Sequence, residues 1–258
     1  MQQIKPQSPH STMNSKRNIL GTLIIAVAVV LSVWIGGSAL RHRNDGPRTI
    51  TVKGSAERSF RSNLATWSLT ITNHSSSPKA GFDEVERQRG VVVDFLRSHG
   101  FTDEEMETLG VSYNERVNGY YNKNQDRYVE EHDGYDVSQT IVLTSEDVDK
   151  IDKTAKAVGE LINLDVTVMV GEPNYYYTKM ADLKLEMLDA AAADARDRAA
   201  SIAKASHGSL GALQKSQMGV FQILGRYANE SYTWGGTLNT SDIDKTASIT
   251  VSSTFLLK

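Results

Sequence analysis

The chain has 258 residues, a net charge of −3 at pH 7 and no cysteine. The lack of cysteine excludes a disulfide framework and thiol chemistry. The small negative charge, with no basic stripe, argues against a nucleic-acid partner.

One uncharged stretch runs from Ile19 to Leu40, with basic residues on both sides. As a helix rising about 1.5 Å per residue, it is about as long as the ~30 Å hydrocarbon core of a bilayer is thick. Trp34 lies near its end, where an indole ring suits the membrane interface. The sequence therefore predicts a polar tail (residues 1–18), a transmembrane anchor (residues 19–40, including Leu31) and a tether (residues 41–48).

A cleaved signal peptide is the main alternative, because such peptides also begin basic and turn apolar. Gly37-Ser38-Ala39 offers small residues at plausible cleavage positions. The apolar run exceeds the ~7–15 residues usual for a signal core, which favours an uncleaved anchor. A buried core helix is a third alternative, but such a helix would not need basic clusters at both ends. Basic residues are evenly divided across the segment, so charge alone does not set its orientation.

Period-two alternation predicts several strands in the single domain expected over residues 49–258. The clearest rows are Ala65–Ile71, Tyr135–Leu143, Leu164–Val170 and Ala247–Phe255, with weaker strands at Thr49–Lys53 and Met106–Tyr113. Their polar positions are rich in Thr and Ser, which is typical of an antiparallel sheet with one wet face.

Three helices are predicted between these strands. In the first, Ser77 is the N-cap and Pro78 the first helical residue. Phe82 belongs to its predicted inner face, and the helix stops near Gly100. The helix pattern ends there because glycine favours the turn that follows a helix.

The second predicted helix begins at Ser145 and reaches Ile162, and the third covers roughly residues 178–206. The inner stripe of the third helix is predicted to contain Met180, Leu183, Met187, Ala191, Ala195, Ala199 and Ile202. The order of elements predicts an α+β fold, with three helices packed on a mixed or mostly antiparallel sheet.

The strand sequences resemble the SIMPL-domain family of bacterial envelope proteins. ITVKGSAERSF at Ile50–Phe60 and LATWSLTI at Leu64–Ile71 are similar to the family's opening strands. The resemblance continues through GYDVSQTIVL at Gly134–Leu143 and the alanine-rich helix at Ala190–Gly211. It therefore covers nearly the whole chain after residue 48.

The resemblance implies an extracytoplasmic domain with no established enzymatic activity, in a family whose members form large ring-like or barrel-like homo-oligomers. Some members are associated with oxidative-stress defence. We therefore expect a single-pass protein of the inner (cytoplasmic) membrane, with its C-terminal domain in the periplasm or outside the cell. The chain departs from the family where Arg58, Phe60 and Arg61 replace a small, proline-containing link.

Two long polar segments contain aromatic residues, at Gly119–Gly134 and Gly225–Asp244. Both are predicted to be loops, the first as a polar hairpin tip between two strands and the second before the last strand. Loops of this length are often functional or disordered. Tyrosine and tryptophan are enriched in binding hot spots, so we expect these rings to contact another subunit or a ligand. The alternative is that the rings pack on their own domain. The candidate residues are Tyr120, Tyr121, Tyr128, Tyr227, Tyr232 and Trp234, with a further cluster at Tyr175-Tyr176-Tyr177.

Few residues suggest catalysis, and the sequence predicts no catalytic residue, cofactor or metal site. His132 lies among acidic residues, which could indicate a hard-metal or proton-sensing site, although a solvated hairpin tip is the simpler interpretation. Asp242 and Asp244 are paired carboxylates without a partner that spacing identifies. The expected function is non-enzymatic homo-oligomeric assembly. The alternatives are a monomeric or dimeric module that binds a peptide, glycan or lipid through the aromatic loops, and an enzyme with an unrecognised site.

Overall fold

The computed structural model describes residues 23, 25–35, 37, 47–123, 125–226 and 235–258. From residue 47 onward, the described residues form an α+β fold with three α-helices and ten strands, which confirms the predicted class. The helices are α1 (Pro78–Ser98), α2 (Val148–Ala157) and α3 (Met180–Ala205). The strands are β1 (Thr49–Arg61), β2 (Leu64–Ser75), β3 (Met106–Thr108), β4 (Ser112–Asn122), β5 (Arg127–Ser145), β6 (Val168–Val170), β7 (Asn174–Tyr176), β8 (Leu210–Met218), β9 (Gln222–Gly225) and β10 (Asp244–Leu257).

The strands form two antiparallel sheets, whereas the sequence analysis predicted one. The first sheet has the order β1-β10-β8, with β9 also paired to β10. The second has the order β3-β5-β2-β6, with β4 paired to β5 and β7 paired to β2. Alternation shows which side chains are buried but not which strands are neighbours. The division into two sheets therefore could not be read from the pattern.

Each sheet has its own helical cover and its own core. α1 and α2 pack on the second sheet, where Trp67 and Leu69 of β2 meet residues such as Leu96 of α1. α3 packs on the first sheet, where Ala191 and Ile249 share a second core. All of these core residues lie after residue 49. We therefore expect the domain to fold without the N-terminal segment.

The first predicted helix is confirmed, with one wrong side chain. The Ser77 hydroxyl caps it by accepting a hydrogen bond from the Ala80 N–H (3.3 Å), and Pro78 is its first residue. Phe82 was predicted to be buried, but it is 45% exposed. The buried side of α1 instead includes Phe95, which the predicted face omitted.

The second predicted helix is too long. α2 ends at Ala157 and gives way to a 3₁₀ helix over Val158–Leu164, where Ile162 is 74% exposed. The tighter 3₁₀ winding rotates successive side chains away from the α-helical stripe. Only Val168–Val170 of the predicted strand Leu164–Val170 is extended.

The third predicted helix is confirmed within two residues at each end, but Ile202 is not part of its inner stripe. Ile202 is 49% exposed, and Ala203 is buried in its place. The buried positions repeat every fourth residue from Leu183 to Ala203. A stripe with that spacing follows a ridge inclined to the helix axis, and Ile202 lies off it.

Residues 25–35 are helical, and their apolar side chains are exposed, with Trp34 at 73%. The predicted anchor extends beyond them, since Ile19 and Leu40 lie outside the described residues. Among the residues that the structure describes, no helix is both long enough and apolar enough to cross a membrane.

Candidate functional site

The segment Gly119–Gly134 is the far part of the β4–β5 hairpin, as predicted, but it is a two-stranded ribbon and not a loop. β2 pairs with β5 only over Tyr135–Ser145. Among the described residues, the rest of β5, Arg127–Gly134, pairs with Arg116–Asn122 of β4 alone. We call these two stretches and their turn the ribbon. Seven residues at about 3.3 Å each make it roughly 23 Å long.

The ribbon places three of the candidate aromatic residues on two faces. Tyr121 and Tyr128 are directly opposite each other across the strands, so they share one face. Tyr120, the next residue along β4, lies on the other face, where its hydroxyl donates to the Glu131 carboxylate (2.8 Å). The Tyr121 hydroxyl donates to the Asp126 carboxylate. All three rings are exposed, whereas two of the hydroxyls are already hydrogen-bonded within the ribbon.

The base of the ribbon is fixed by a β-bulge and by ion pairs. Arg116 pairs with Gly134 and Val117 with His132, which leaves Asp133 as the extra residue. Gly134 has φ +109°, in a region that favours glycine. The Arg116 guanidinium lies 3.3 Å from the Asp133 carboxylate.

Two histidines flank this base, and each contacts one carboxylate. His74 Nδ1 and Asp136 Oδ1 are 2.8 Å apart, as are His132 Nδ1 and Glu115 Oε1. His132 therefore lies on a strand rather than at a hairpin tip. Within the described residues, no group of three His, Asp or Glu side chains is arranged to hold a metal ion.

The second aromatic segment is only partly described, because Tyr227, Tyr232 and Trp234 lie outside the described residues. Its flanks are held by backbone hydrogen bonds. The Arg226 N–H donates to the Asp244 carbonyl (3.1 Å), and the Asn239 N–H donates to the Ile223 carbonyl (3.0 Å). The segment thus starts and ends at neighbouring positions on the first sheet.

Asp242 and Asp244 line a cleft of about 750 Å³ at the junction of the two sheets. Asp242 is held in a turn, because its N–H donates to Asn239 Oδ1 and its carboxylate accepts from Asn239 Nδ2 (both 3.0 Å). Beside the cleft, the Tyr175 N–H donates to the Thr240 carbonyl (2.7 Å). The sequence shows that the two carboxylates are close in the chain. Only the structure shows that residues of α2 and β7 line the same cleft.

A buried lysine lies beneath this cleft, and the sequence analysis missed it. Lys245 is 2% exposed, and its Nζ donates to the Tyr175 carbonyl (2.5 Å). Burial lowers the pKa of Lys245 to about 8, and the nearby Asp242 carboxylate partly opposes this change. Lys245 falls two residues before Ala247 in a buried alternating row, which is the signal that could have found it.

The tyrosine cluster before α3 is divided between the core and the surface. Tyr175 is buried beside the cleft, and burial raises its pKa to about 12, with a further contribution from the carboxylates of Asp152 and Asp149. Tyr177 is half-buried, and its ring centroid lies 4.9 Å from that of Phe60. Tyr176 is 39% exposed, so only Tyr175 and Tyr177 pack on their own domain, in contrast to the rings of the ribbon.

The residues at which the chain departs from the predicted family pattern are part of a regular strand. β1 continues through Arg58 and Phe60 to Arg61 while still paired with β10. Arg58 forms an ion pair with Glu186 of α3. Arg61 donates to the Asp149 carboxylate of α2 (2.6 Å). These side chains therefore tie the end of β1 to both helical layers.

Two antiparallel sheets under helical covers, with one projecting ribbon, define an α+β domain with no three-ligand metal group among the described residues. A family model described as "SIMPL: Protein of unknown function (DUF541)" matches residues 50–254. The chain therefore belongs to the SIMPL family, as its strand sequences predicted. A search of curated proteins gave no match.

Proposed function

We propose that the protein is a non-enzymatic, membrane-anchored SIMPL protein that acts at the cell envelope through homo-oligomeric assembly. Residues 19–40 would hold each subunit in the inner membrane, with the domain in the periplasm or outside the cell. A role in envelope or oxidative-stress defence is proposed from the family resemblance alone.

The observation that carries the assembly proposal is the exposure of the ribbon on both faces. An isolated two-stranded hairpin is only marginally stable in water, because neither of its faces is covered. This ribbon displays Val117, Tyr120, Tyr121 and Tyr128, which are exposed apolar or aromatic side chains. Contact with another copy would bury these side chains and would cover a face of the ribbon that its own domain leaves exposed.

The ribbon can be shortened without touching the cores, which makes the proposal testable. Replacing residues 118–131 with Asn-Gly keeps the Val117–His132 pair and supplies a two-residue turn that suits a hairpin. The mass of residues 46–258 is measured by light scattering behind a sizing column. We expect a large discrete oligomer for the parent domain and a monomer for the shortened domain.

Thermal unfolding of the shortened domain is the control, since one cooperative transition would show that it is folded. Its midpoint should be lower than that of an oligomeric parent, because association stabilises the folded state. A monomeric parent domain would reject assembly through this domain. An oligomer of unchanged subunit number after shortening would reject the role of the ribbon. Deleting Gly225–Asp244 is a poorer test, because Ile243 of that segment packs against the core of the second sheet.

The cleft supports a second candidate function, a binding module. Its volume of about 750 Å³ is within the range of small-molecule sites. This candidate differs from the sequence-based alternative, which assigned binding to the aromatic loops. It is compatible with assembly, because the cleft and the ribbon use different residues.

A further inference from the structure

The outer edge of β4 is unpaired, because β4 pairs with β5 alone in the part of the chain that the structure describes. Thr140 of β5 turns its backbone to this side, since its carbonyl accepts from the Leu109 N–H (2.9 Å). Asp136 has the same orientation, because backbone direction alternates along a strand, and it pairs with Asn114 of β4. The extra residue of the bulge lies on β5, so alternation continues along β4. The residues whose N–H and C=O groups face outward are therefore Tyr113, Glu115, Val117, Gly119 and Tyr121.

Other strand edges of the domain are short or protected. On β1, the Asp194 carboxylate already accepts from the outward-facing Ser55 N–H (2.8 Å). β8 contains Lys215, and its register with β10 shifts twice, features that disfavour pairing with a further strand. β3, β6 and β7 have three residues each. β4 has eleven residues without proline or lysine, and its two charged residues, Glu115 and Arg116, already contact partners on β5.

The sequence of β4 is complementary to itself when two copies run antiparallel. In a pairing centred on Val117, all eleven residues of each strand overlap, and outward-facing groups meet outward-facing groups. Tyr113 of one copy then lies opposite Tyr121 of the other, and each charged residue lies opposite an uncharged one, as Glu115 does opposite Gly119. A pairing centred on Glu115 would instead oppose two like charges, which is destabilising.

In this pairing, the partner tyrosine arrives on the face of β4 that lies toward α1. Tyr113 is directly opposite Val137 of β5, and directly opposite residues share a face. Val137 is buried in the core that β5 forms with α1. The Tyr121 ring of the second copy, placed opposite Tyr113, therefore lies next to α1.

An apolar groove is open at this place. Its lining includes Phe82 of α1, Val111 and Tyr113, and its volume is about 510 Å³. Lys79 and Asp83 on its rim form an ion pair with each other (2.9 Å), so neither charge needs an incoming partner. Such a groove suits an uncharged aromatic ring.

We propose that the outer edges of β4 in two copies pair antiparallel about a two-fold axis at Val117, which places Tyr121 of each copy in the groove beside Phe82 of the other. This inference rests on the proposed assembly and names one of its contacts. The pairing joins the second sheets of two copies into one continuous sheet. A two-fold contact joins copies in pairs, so a larger assembly needs a further contact and has an even number of subunits.

The chain has no cysteine, so a single introduced cysteine reports on one contact. The test is mild oxidation of the full chain carrying Val117→Cys, in detergent, followed by non-reducing electrophoresis. The two Cα atoms of residue 117 would be about 5.5 Å apart, within the range of a disulfide. Glu115→Cys is the matched control on the same edge and face, but its two copies would be four residues apart, about 13 Å. We expect about tenfold more cross-linked dimer from Val117→Cys than from Glu115→Cys.

The groove is tested by a second substitution in the Val117→Cys chain. Phe82→Asp should lower the yield of cross-linked dimer about tenfold, because it places a carboxylate beneath the partner's ring. Ile162→Asp is the control, since Ile162 is an exposed apolar residue of the 3₁₀ helix after α2, and it should leave the yield unchanged. Equal yields from these two chains would overturn the placement of Tyr121 in the groove.

Light scattering on the reduced full-chain protein separates this inference from the proposed function. If the protein is an oligomer but Val117→Cys and Glu115→Cys give equal amounts of dimer, the edge pairing is wrong and assembly stands. A monomeric protein would overturn both.

Discussion

Gly54 of β1 lies directly against the backbone of α3 at Ala195. A Cβ added at Gly54 would be 2.7 Å from the Ala195 Cβ and closer still to the Ala191 carbonyl oxygen. The next residue, Ser55, donates its N–H to the Asp194 carboxylate (2.8 Å). β1 and α3 therefore approach so closely that the strand has room only for glycine at this point.

Gly54→Ala should lower the free energy of unfolding by about 1–3 kcal/mol, because helix backbone atoms must move to admit the methyl group. The measurement is urea unfolding of residues 46–258, followed by circular dichroism. Gly90→Ala is the control, since Gly90 lies within α1 with open space around it. It should raise stability by up to about 1 kcal/mol. Equal effects at both positions would show that the contact with α3 is unimportant.

Lys245 should make stability depend on pH in the alkaline range. Its pKa is about 8 in the folded domain and 10.5 ordinarily, so the unfolded chain binds more protons between these values. The free energy of unfolding should therefore rise with pH above about 8, with no contribution to the slope below it. The full effect would be up to about 3 kcal/mol. Measurements should stop near pH 9.5, before the tyrosines of the unfolded chain titrate.

Lys245→Met should remove this part of the pH slope. Lys215→Met is the matched control, because Lys215 is an exposed lysine of β8, and this change should leave the slope as it is. Urea unfolding at pH 7, 8, 9 and 9.5 provides the comparison. If the parent domain and the Lys245→Met variant have the same slope, Lys245 is not the titrating group.

Gly134→Ala should destabilise the base of the ribbon. The residue combines φ +109° with a close approach, since an added Cβ would lie 2.5 Å from the Ser75 carbonyl oxygen. A cost of about 1–3 kcal/mol is typical of such backbone strain. Gly110→Ala has open space and should change stability by less than about 0.5 kcal/mol. Similar unfolding midpoints for the two variants would contradict the strained bulge.

The N-terminal segment should carry the full chain to membranes. In a liposome flotation assay, we expect the full chain to float and residues 46–258 to remain at the bottom. Leu31→Arg should reduce flotation, because an arginine near the middle of a spanning helix costs about 2.5–3.5 kcal/mol. A mature protein whose mass begins after Ala39 would instead support a cleaved signal peptide.

Local patterns in the sequence were sufficient to place most of the secondary structure. Ser77 and Pro78 mark a helix start because capping depends on neighbouring residues. The buried row through Trp67 and Leu69 follows from the period of a strand. The alanines of α3 indicated close packing but did not identify Gly54 as the partner, because that contact joins residues far apart in the chain.

The ribbon was mistaken for a loop because it has no core to produce alternation. Residues such as Tyr120 and Tyr121 face solvent on both sides, so their polarity does not alternate as it does in β2. Only the register between β4 and β5 shows that the strands continue past the end of β2.

The sequence by itself determined the apolar N-terminal segment, the α+β class, the buried face of most elements and the family. These properties depend on residues that are close in the chain, where spacing reports directly on burial. The tertiary structure alone decided the division into two sheets, the position of Lys245 and the cleft that joins Asp152, Glu172 and Asp242. Those features depend on which distant segments pack together. Hydrophobic burial is non-directional and stabilises many such pairings to a similar degree, and no local pattern in the sequence distinguishes between them.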